Sequence, residues 1–239
     1  MAGILFLAFL AGFSTCLGAA AVLAWGRPGR RLFSLLLGLA AGVMLAVVAL
    51  DLLPEAFLHG GPGRTLTGLA AGLLLMHALD LFLNGEVAAA PPGLLYLKMG
   101  YLIAAGIALH DLPEGLAIAA GFARPGSTGP LLVLAIALHN IPEGMATAAP
   151  LFAGGLSPRR VLALNGLVSL VTPLGCWLGI FMLQALPGYL PLLLALAAGA
   201  MAYVVTQKLL PACMALSLPL AAAGCGGGFL LVAALNLLL

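Results

Sequence analysis

Long apolar runs dominate the chain, and short polar or turn-forming segments interrupt them. Each run comes close to the roughly 20 residues that cross the hydrocarbon core of a bilayer. Lipid offers backbone groups no hydrogen-bond partners, so such runs must form helices or a closed barrel. Their apolar character is continuous rather than alternating, which favours helices. The pattern predicts eight transmembrane helices, over about 2–25, 32–54, 66–83, 98–122, 129–152, 160–184, 189–208 and 218–239.

The composition makes lipid the main solvent of this chain. Of its 239 residues, 64% are hydrophobic and 7% are charged, whereas soluble domains carry about 25% charged residues. Seven acidic and nine basic side chains are too few to cover a water-facing surface of this size. We therefore expect an all-α integral membrane protein with one transmembrane domain over 1–239. The shortage of basic residues also excludes nucleic acid as a partner.

The distribution of basic residues predicts how the helices are oriented. Short cytoplasmic loops accumulate Lys and Arg, and an N-terminus outside the cell places seven basic residues inside against two outside. We therefore predict that both termini face outward. The inner residues are Arg27, Arg30, Arg31, Lys98, Arg159, Arg160 and Lys208, and the outer ones are Arg64 and Arg124.

The chain also contains an internal repeat. The segment GLAAGVMLAVVALDLLPEA, from Gly38, aligns at a shift of 157 residues with ALAAGAMAYVVTQKLLPAC, from Ala195, and ten of the nineteen positions are identical. Nearly the same shift aligns the first predicted helix with the sixth and the third with the eighth. Two copies of three helices separated by a pair have opposite orientations, as in many secondary transporters. We predict an inverted 3+2+3 repeat, with helices 1–3 and 6–8 flanking helices 4–5.

The two helices between the repeats carry matching polar hexapeptides. HDLPEG begins at His110, and HNIPEG begins at His139. Residues four apart share one face of a helix, so His110 stands with Glu114 and His139 with Glu143. A buried charge in a bilayer costs at least about 2.5–3.5 kcal/mol, so helix capping or interhelical hydrogen bonding explains a single such residue better than a duplicated set.

This residue set suits a divalent transition metal. Imidazole and carboxylate ligands together favour zinc and its neighbours over calcium or magnesium. The two glutamates, Glu114 and Glu143, neutralise one dication. Asp111 and Asn140 point about 100° away from the histidines and are candidate ligands of a second ion.

These motifs resemble the ZIP (Zrt-/Irt-like) metal transporters, particularly their compact bacterial branch. The resemblance rests on the paired HxxPEG motifs, the count of eight helices, STCLGAA in the first helix and GLAAGVMLAVVALDLLPEA in the second. It covers nearly the whole chain, and the paired hexapeptides are its most specific part.

The resemblance implies a zinc importer of the cell membrane, in bacteria the inner membrane. Zinc would be the transported substrate, with iron, manganese, cobalt or cadmium often accepted, and no organic cofactor is expected. His110, Glu114, His139 and Glu143 would form the first metal site. Asp111 and Asn140 would contribute to a second site that the glutamates bridge. A homodimer is a further implication of the resemblance.

Three residues depart from the family pattern. Thr172 stands where the family often has a glutamate, and Gln207 and Lys208 stand where it has acidic residues. Both losses weaken a site for two ions and alter the usual exit route.

Two further polar groups lie toward the ends of the predicted helices. Asp51, Glu55 and His59 recur every four residues and form a candidate outer mouth; an interfacial helix cap is an equal alternative. Toward the inner end, the candidate exit residues are His77, Asp80 and Lys208. There, pairing of Asp80 with Lys208 is an equal alternative to a release relay, and Lys208 would hold the inner carboxylates until a metal displaces it.

Two other functions compete with transport. A metal with an open coordination position activates water, which would make an intramembrane metalloenzyme, but the sequence lacks HExxH and GxSxG motifs. The departures at Thr172, Gln207 and Lys208 are compatible with a membrane protein that binds or senses metal without moving it. We expect a transporter and not an enzyme.

Overall fold

The structure, a computed structural model, describes residues 1–26, 29–84, 92–123, 129–185 and 187–237. Throughout these ranges the regular structure is helical, without strands. Arg27 and Arg124, which enter the count of basic residues, lie outside the described residues, as do 238–239 at the end of the eighth predicted helix. The helices are α1 (Ala2–Trp25), α2 (Arg30–Ala46), α3 (Leu53–Asn84), α4 (Pro92–Ala123), α5 (Gly129–Ala153), α6 (Pro158–Ser169), α7 (Val171–Ala185), α8 (Leu190–Val204), α9 (Leu210–Leu216) and α10 (Leu218–Asn236).

Seven helical segments of the described chain are long and apolar enough to cross a membrane. The longest, Arg30–Phe82, has 53 residues, or about 80 Å at 1.5 Å per residue. It is interrupted inside α3 at Gly61, whose φ of 70° is a left-handed value that suits glycine. The chain is therefore an all-helical, multi-pass membrane protein.

The predicted turn between the second and third helices is wrong in its length. The sequence assigns about 55–65 to a turn, but the helix that begins at Leu53 continues to Gly60, and the next one starts directly after Gly61. Pro62 tolerates this position because the first residues of a helix need no backbone N–H donor. A single glycine thus replaces the expected loop.

The sixth and seventh predicted helices also differ in their bounds. The sixth divides at Leu170 into α6 and α7, where Pro173 supplies no N–H to the preceding turn. The seventh does not end at Lys208, because a π-helical turn, Val205–Leu209, joins α8 to α9. Lys208 is predicted to end the seventh span because a basic residue usually lies at the end of an apolar run, but the helix continues through it.

A second π-helical turn, Val47–Leu52, joins α2 to α3 in the same way. In the first turn the Leu53 N–H donates to the carbonyl of Val48, and in the second the Leu210 N–H donates to that of Val205. Both bonds reach five residues back, and each is followed by a proline that has no N–H. The two turns lie 157 residues apart and contain Asp51 and Lys208.

The helices pack in four principal pairs. α2 packs against α10, α3 against α8, α1 against α5, and α4 against α7. Glycines allow backbone contact at these crossings: Gly42 faces the Cys225 carbonyl of α10, and Gly72 faces the Leu196 carbonyl of α8. Small residues of this kind are the usual contact surface between helices in lipid. Residues of α4 and α5 belong to both hydrophobic clusters that make up the core.

Candidate metal-binding site

Three side chains of the paired hexapeptides meet in the interior. The ligand atoms of His110, Glu114 and His139 all lie within 4.8 Å of one another, and all three residues are buried. His110 Nε2 lies 2.8 Å from Glu114 Oε1, and His139 Nε2 contacts the same oxygen. The imidazole ring centroids are 6.2 Å apart. We call these three residues the central cluster.

Helix geometry and helix packing together produce this cluster. His110 and Glu114 are one turn apart on α4, so they share a face as the spacing predicts, and α5 brings His139 opposite them. Gly144, the last hexapeptide residue on α5, lies against the Thr15 backbone of α1. Gly115, its equivalent on α4, lies against the Thr172 carbonyl of α7. A side chain at either glycine would push these helices apart.

Two carboxylates near the cluster have no hydrogen-bond partner among the described residues. Glu143 and Asp111 are fully buried, and all four of their carboxylate oxygens are unpartnered, as is Oε2 of Glu114. Glu143 was predicted to share the first site, but it lies outside the 4.8 Å group. A buried carboxylate without a partner is costly while it is charged, and either a bound proton or a bound cation removes this cost.

Asn140, the counterpart of Asp111, has one defined role in the structure. Its Nδ2 donates to the Ala11 carbonyl of α1 at 3.1 Å, so it forms the interhelical hydrogen bond that was the alternative to metal ligation. Its Oδ1 is buried without a hydrogen-bond partner. Thr172, at the position where a glutamate was expected, is a close neighbour of Asp111.

A cavity of about 450 Å³ leads to the central cluster. We call it the outer cavity, after the side that the distribution of basic residues predicts. Apolar residues form most of its wall, and the polar residues that line it are Asp51, Glu55, His110, Glu114, His139 and Asn236. The cavity thus extends from Asp51 and Glu55, two of the three candidate mouth residues, to the central cluster on α4 and α5.

The three candidate mouth residues do not act as one group. Asp51 Oδ1 accepts a 2.5 Å hydrogen bond from Asn236 Nδ2 on α10. Glu55 and His59 instead pair with each other at 3.3 Å, and both side chains are about half exposed. Asp51 is therefore held inside the cavity wall, while His59 lies at the surface.

The candidate exit residues form one continuous network. Lys208 Nζ lies 2.7 Å from Asp80 Oδ2, and the Tyr203 hydroxyl donates to the same oxygen at 2.7 Å. His77 Nδ1 lies 3.3 Å from that hydroxyl. Asp80 and Lys208 also line a second cavity, of about 340 Å³, together with Lys98 and Gln207. We call it the inner cavity.

Sequence reasoning missed Tyr203 and Asn236, which are partners of Asp80 and Asp51. The repeat contained a signal for Asn236. It aligns Asp51 with Lys208 and Asp80 with Asn236, so a pairing of Asp80 with Lys208 predicts an equivalent pairing of Asp51 with Asn236. No pattern in the sequence singled out Tyr203, because its equivalent in the first half is Ala46.

These features define a multi-pass membrane protein with a buried imidazole and carboxylate cluster that suits a divalent metal ion. Comparison with known proteins gives its family. The family model described as ZIP zinc transporter matches residues 90–236. The chain belongs to the ZIP zinc transporter family.

Relatives in several bacteria match most of the chain. The zinc transporter ZupT of Chlorobium luteolum is 34% identical over 87% of this chain and 86% of the relative. The ZupT of Corynebacterium aurimucosum is 32% identical, covering 86% and 84%. The zinc transporter GufA of Myxococcus xanthus is 33% identical, covering 84% and 85%. The similarity therefore extends well beyond the paired hexapeptides.

Proposed function

We propose that this protein carries divalent transition metal ions, zinc first, through the membrane into the cytosol, and that the central cluster binds the ion on its way. The observation that carries the proposal is the contact of both imidazoles with one oxygen of Glu114, inside the bundle and at the end of an open cavity. Relatives that are named zinc transporters support zinc as the substrate. Transport accounts for such a buried site better than catalysis does.

The ligand chemistry supports a borderline metal. Two imidazole nitrogens and a carboxylate oxygen are ligands that zinc binds in tetrahedral sites, and iron, manganese, cobalt and cadmium accept similar sets. Glu143 would complete the charge balance, because Glu114 and Glu143 together match one dication. Asp111 and the Asn140 oxygen would serve a second ion, for which their unpartnered oxygens are the support.

We also propose eight membrane crossings in an inverted 3+2+3 repeat, with both termini outside. The support is the symmetry of the contacts. A shift of 156–157 residues takes α2 to α8 and α3 to α10, so the packing of α2 on α10 corresponds to that of α8 on α3. The two helices that carry the hexapeptides, α4 and α5, correspond to each other, so the packing of α1 on α5 corresponds to that of α7 on α4. The two π-helical turns obey the same shift, and the break at Gly61 divides the longest segment into two crossings.

The route of the ion follows from the two cavities. An ion would enter the outer cavity past Glu55 and His59, meet Asp51 and bind the central cluster. It would leave toward the inner cavity, which Asp80 and Lys208 line. Rearrangement of the two repeats around α4 and α5 would open one cavity as the other closes, as inverted-repeat transporters do.

Zinc flux into proteoliposomes tests the proposal, with Glu114→Gln as the main variant. The change keeps the shape of the side chain and removes the charge that both imidazoles contact. We expect uptake at low zinc to fall at least about 10–100-fold, since even an outer partner of a metal ligand contributes that much affinity. Glu55→Gln makes the same change at the exposed end of the same cavity, where the half-exposed side chain is expected to affect uptake by less than about twofold.

Zinc binding to the same purified proteins distinguishes the competing function. Flux in the native protein that Glu114→Gln abolishes supports transport through the central cluster. Zinc binding that Glu114→Gln abolishes, without flux in any of the proteins, would contradict transport and indicate a metal sensor. Equal flux in native protein and Glu114→Gln would remove the central cluster from the route.

A further inference from the structure

Asp80, in the inner cavity, has two partners that contact the same carboxylate oxygen. The Lys208 ammonium and the Tyr203 hydroxyl both meet Oδ2 at 2.7 Å. The Asp80 side chain is 14% exposed and that of Lys208 is 21% exposed, so water screens the pair less than it screens an ion pair on the surface. Asp80 therefore has a full counter-charge supplied by the chain itself.

The equivalent position in the other half of the molecule has no such counter-charge. Asp51 is the counterpart of Lys208, and Asn236 is the counterpart of Asp80. There the pair is a carboxylate with a neutral amide, Asn236 Nδ2 to Asp51 Oδ1. The amide holds the carboxylate in place but leaves its negative charge, which faces the outer cavity.

The two pairs lie at different depths along the bundle. Asp51 is ten residues before the break at Gly61 and Asp80 is nineteen residues after it, which places them about 15 Å and about 28 Å along their helices from that break. An ion that leaves the central cluster away from the outer cavity thus moves toward Asp80. The inner cavity around it also contains Lys98 and Gln207.

Without Lys208, this region contains ligands for a metal ion. Asp80 would offer a carboxylate, and His77, joined to it through Tyr203, would offer an imidazole. Carboxylate and imidazole are ligands that divalent transition metals bind. A second binding site along the inner route would slow the release of each ion.

We propose that Lys208 is a tethered substitute for the metal ion at Asp80. Its ammonium occupies the carboxylate permanently, so that an ion released from the central cluster is not retained at the inner cavity. The benefit of this arrangement rests on the proposed transport function. The arrangement itself, in which Lys208 prevents a metal ion from binding at Asp80 (the masking of this site), is measurable without transport. Lys208 is a positioning residue here, since it acts on the ion through Asp80.

Zinc stoichiometry in Lys208→Met tests the masking directly. Equilibrium dialysis of the purified protein against zinc, followed by elemental analysis, counts the ions bound per chain. We expect Lys208→Met to bind one more zinc ion than the native protein. Lys98→Met, which removes the other lysine of the same cavity, is expected to keep the native count. In proteoliposomes the maximal rate of zinc uptake should fall severalfold in Lys208→Met only.

Asp80 variants identify where the additional ion binds. Lys208→Met/Asp80→Asn should return to the native count, and so should the charge-swapped Asp80→Lys/Lys208→Asp, which rebuilds the pair in reverse. Asp80→Asn alone should also leave the count unchanged. A lower count in Asp80→Asn would mean that Asp80 already binds zinc in the native protein and would overturn the proposal, even if Lys208→Met failed to fold.

The Glu114→Gln background distinguishes this proposal from the proposed function. There the central cluster is impaired, and Lys208→Met should still add one ion. If native protein neither binds zinc at the cluster nor transports it while Lys208→Met still adds an ion, the proposed function fails and the masking stands. An unchanged count in folded Lys208→Met, verified by gel filtration, refutes the masking and leaves transport through the cluster unaffected.

Discussion

The outer and inner cavities are lined by aligned positions of two similar segments, yet the two side chains at those positions, Asp51 and Lys208, carry opposite charges. Asp51 and Lys208 each lie in a π-helical turn before a proline. Each is held by the equivalent residue of another helix, Asn236 for Asp51 and Asp80 for Lys208. The first pair retains a net negative charge, and the second is neutral.

This difference shows that backbone symmetry and chemical symmetry are separate properties. The proposed repeat preserves helix crossings, turns and the geometry of a polar pair. It does not preserve which member of the pair carries a charge. An ion path that attracts cations at one end and does not hold them at the other can therefore keep the same backbone in both halves, but its charges must differ between them.

The largest expected effect tests the symmetry of the backbone. Gly18 lies against the Ile141 carbonyl, and its equivalent Gly175 lies against the Leu112 carbonyl. Gly18→Leu and Gly175→Leu should each lower the free energy of unfolding by about 1–3 kcal/mol or more, because a side chain cannot fit against backbone there. Thermal unfolding in detergent measures this.

Gly166→Leu is the control for these two variants, since a Cβ at Gly166 meets no atom within 4 Å. It should leave the midpoint of unfolding unchanged. A large loss in one of the paired variants without a similar loss in the other would break the proposed equivalence of the two halves.

A smaller effect tests the part of the inner network that the outer half lacks. Tyr203→Phe removes a hydroxyl that joins His77 to Asp80, and the equivalent residue in the first half is Ala46. We expect a loss of about 1–2 kcal/mol of stability, since each hydrogen bond contributes about 0.5–1.5 kcal/mol. Thermal unfolding measures it, with Tyr101→Phe, at an exposed position of α4, as the control.

Zinc affinity at the central cluster should stay the same in Tyr203→Phe. A change in that affinity as large as the change in stability would show that the inner network and the central cluster are coupled. The two cavities would then not be independent of each other.

The charge of the outer pair should affect the capture of zinc. Asp51→Asn keeps the shape of the pair with Asn236 and removes one negative charge from the lining of the outer cavity. We expect the zinc concentration for half-maximal uptake to rise about fivefold, which corresponds to about 1 kcal/mol for a partly solvated charge. Initial rates in proteoliposomes measure it. An unchanged half-maximal concentration would mean that the charge contrast between the cavities has no role in capture.

The smallest effect concerns the pair at the surface. Glu55 and His59 are about half exposed and form an i,i+4 contact, and such pairs contribute about 0–1 kcal/mol. His59→Gln should change thermal stability and zinc uptake by less than about twofold or 0.5 kcal/mol. A strong loss of uptake would show that His59 contributes to zinc entry as much as Asp51 does.

Much of the fold follows from the sequence because lipid imposes a simple rule on apolar runs. The predictions of an all-helical membrane protein and of its family are confirmed. The break at Gly61 and the continuation through Lys208 were not predicted, because proline, glycine and charge usually mark the end of a helix. Here the helix breaks at a single residue, Gly61, and it continues past Lys208 through a π-helical turn.

The candidate site was predicted in part for a similar reason. Spacing within one helix identifies pairs such as His110 and Glu114, so the residues on α4 could be grouped from sequence. Contacts between helices depend on their rotation about the axis. The meeting of His139 with Glu114, the separation of Glu143 from that group and the bond from Asn140 to α1 therefore required the structure.

The two π-helical turns have a consequence for how this chain tolerates insertion and deletion. A π-helical turn is an α-helix with one additional residue, and each residue rotates the helix by about 100°. Deletion of one residue of the π-helical turn before Asp51 or Lys208 would turn that side chain away from its cavity, although Asp51 or Lys208 itself would still be present. The number of residues in the segment, as much as their identity, therefore directs these two side chains toward the ion path.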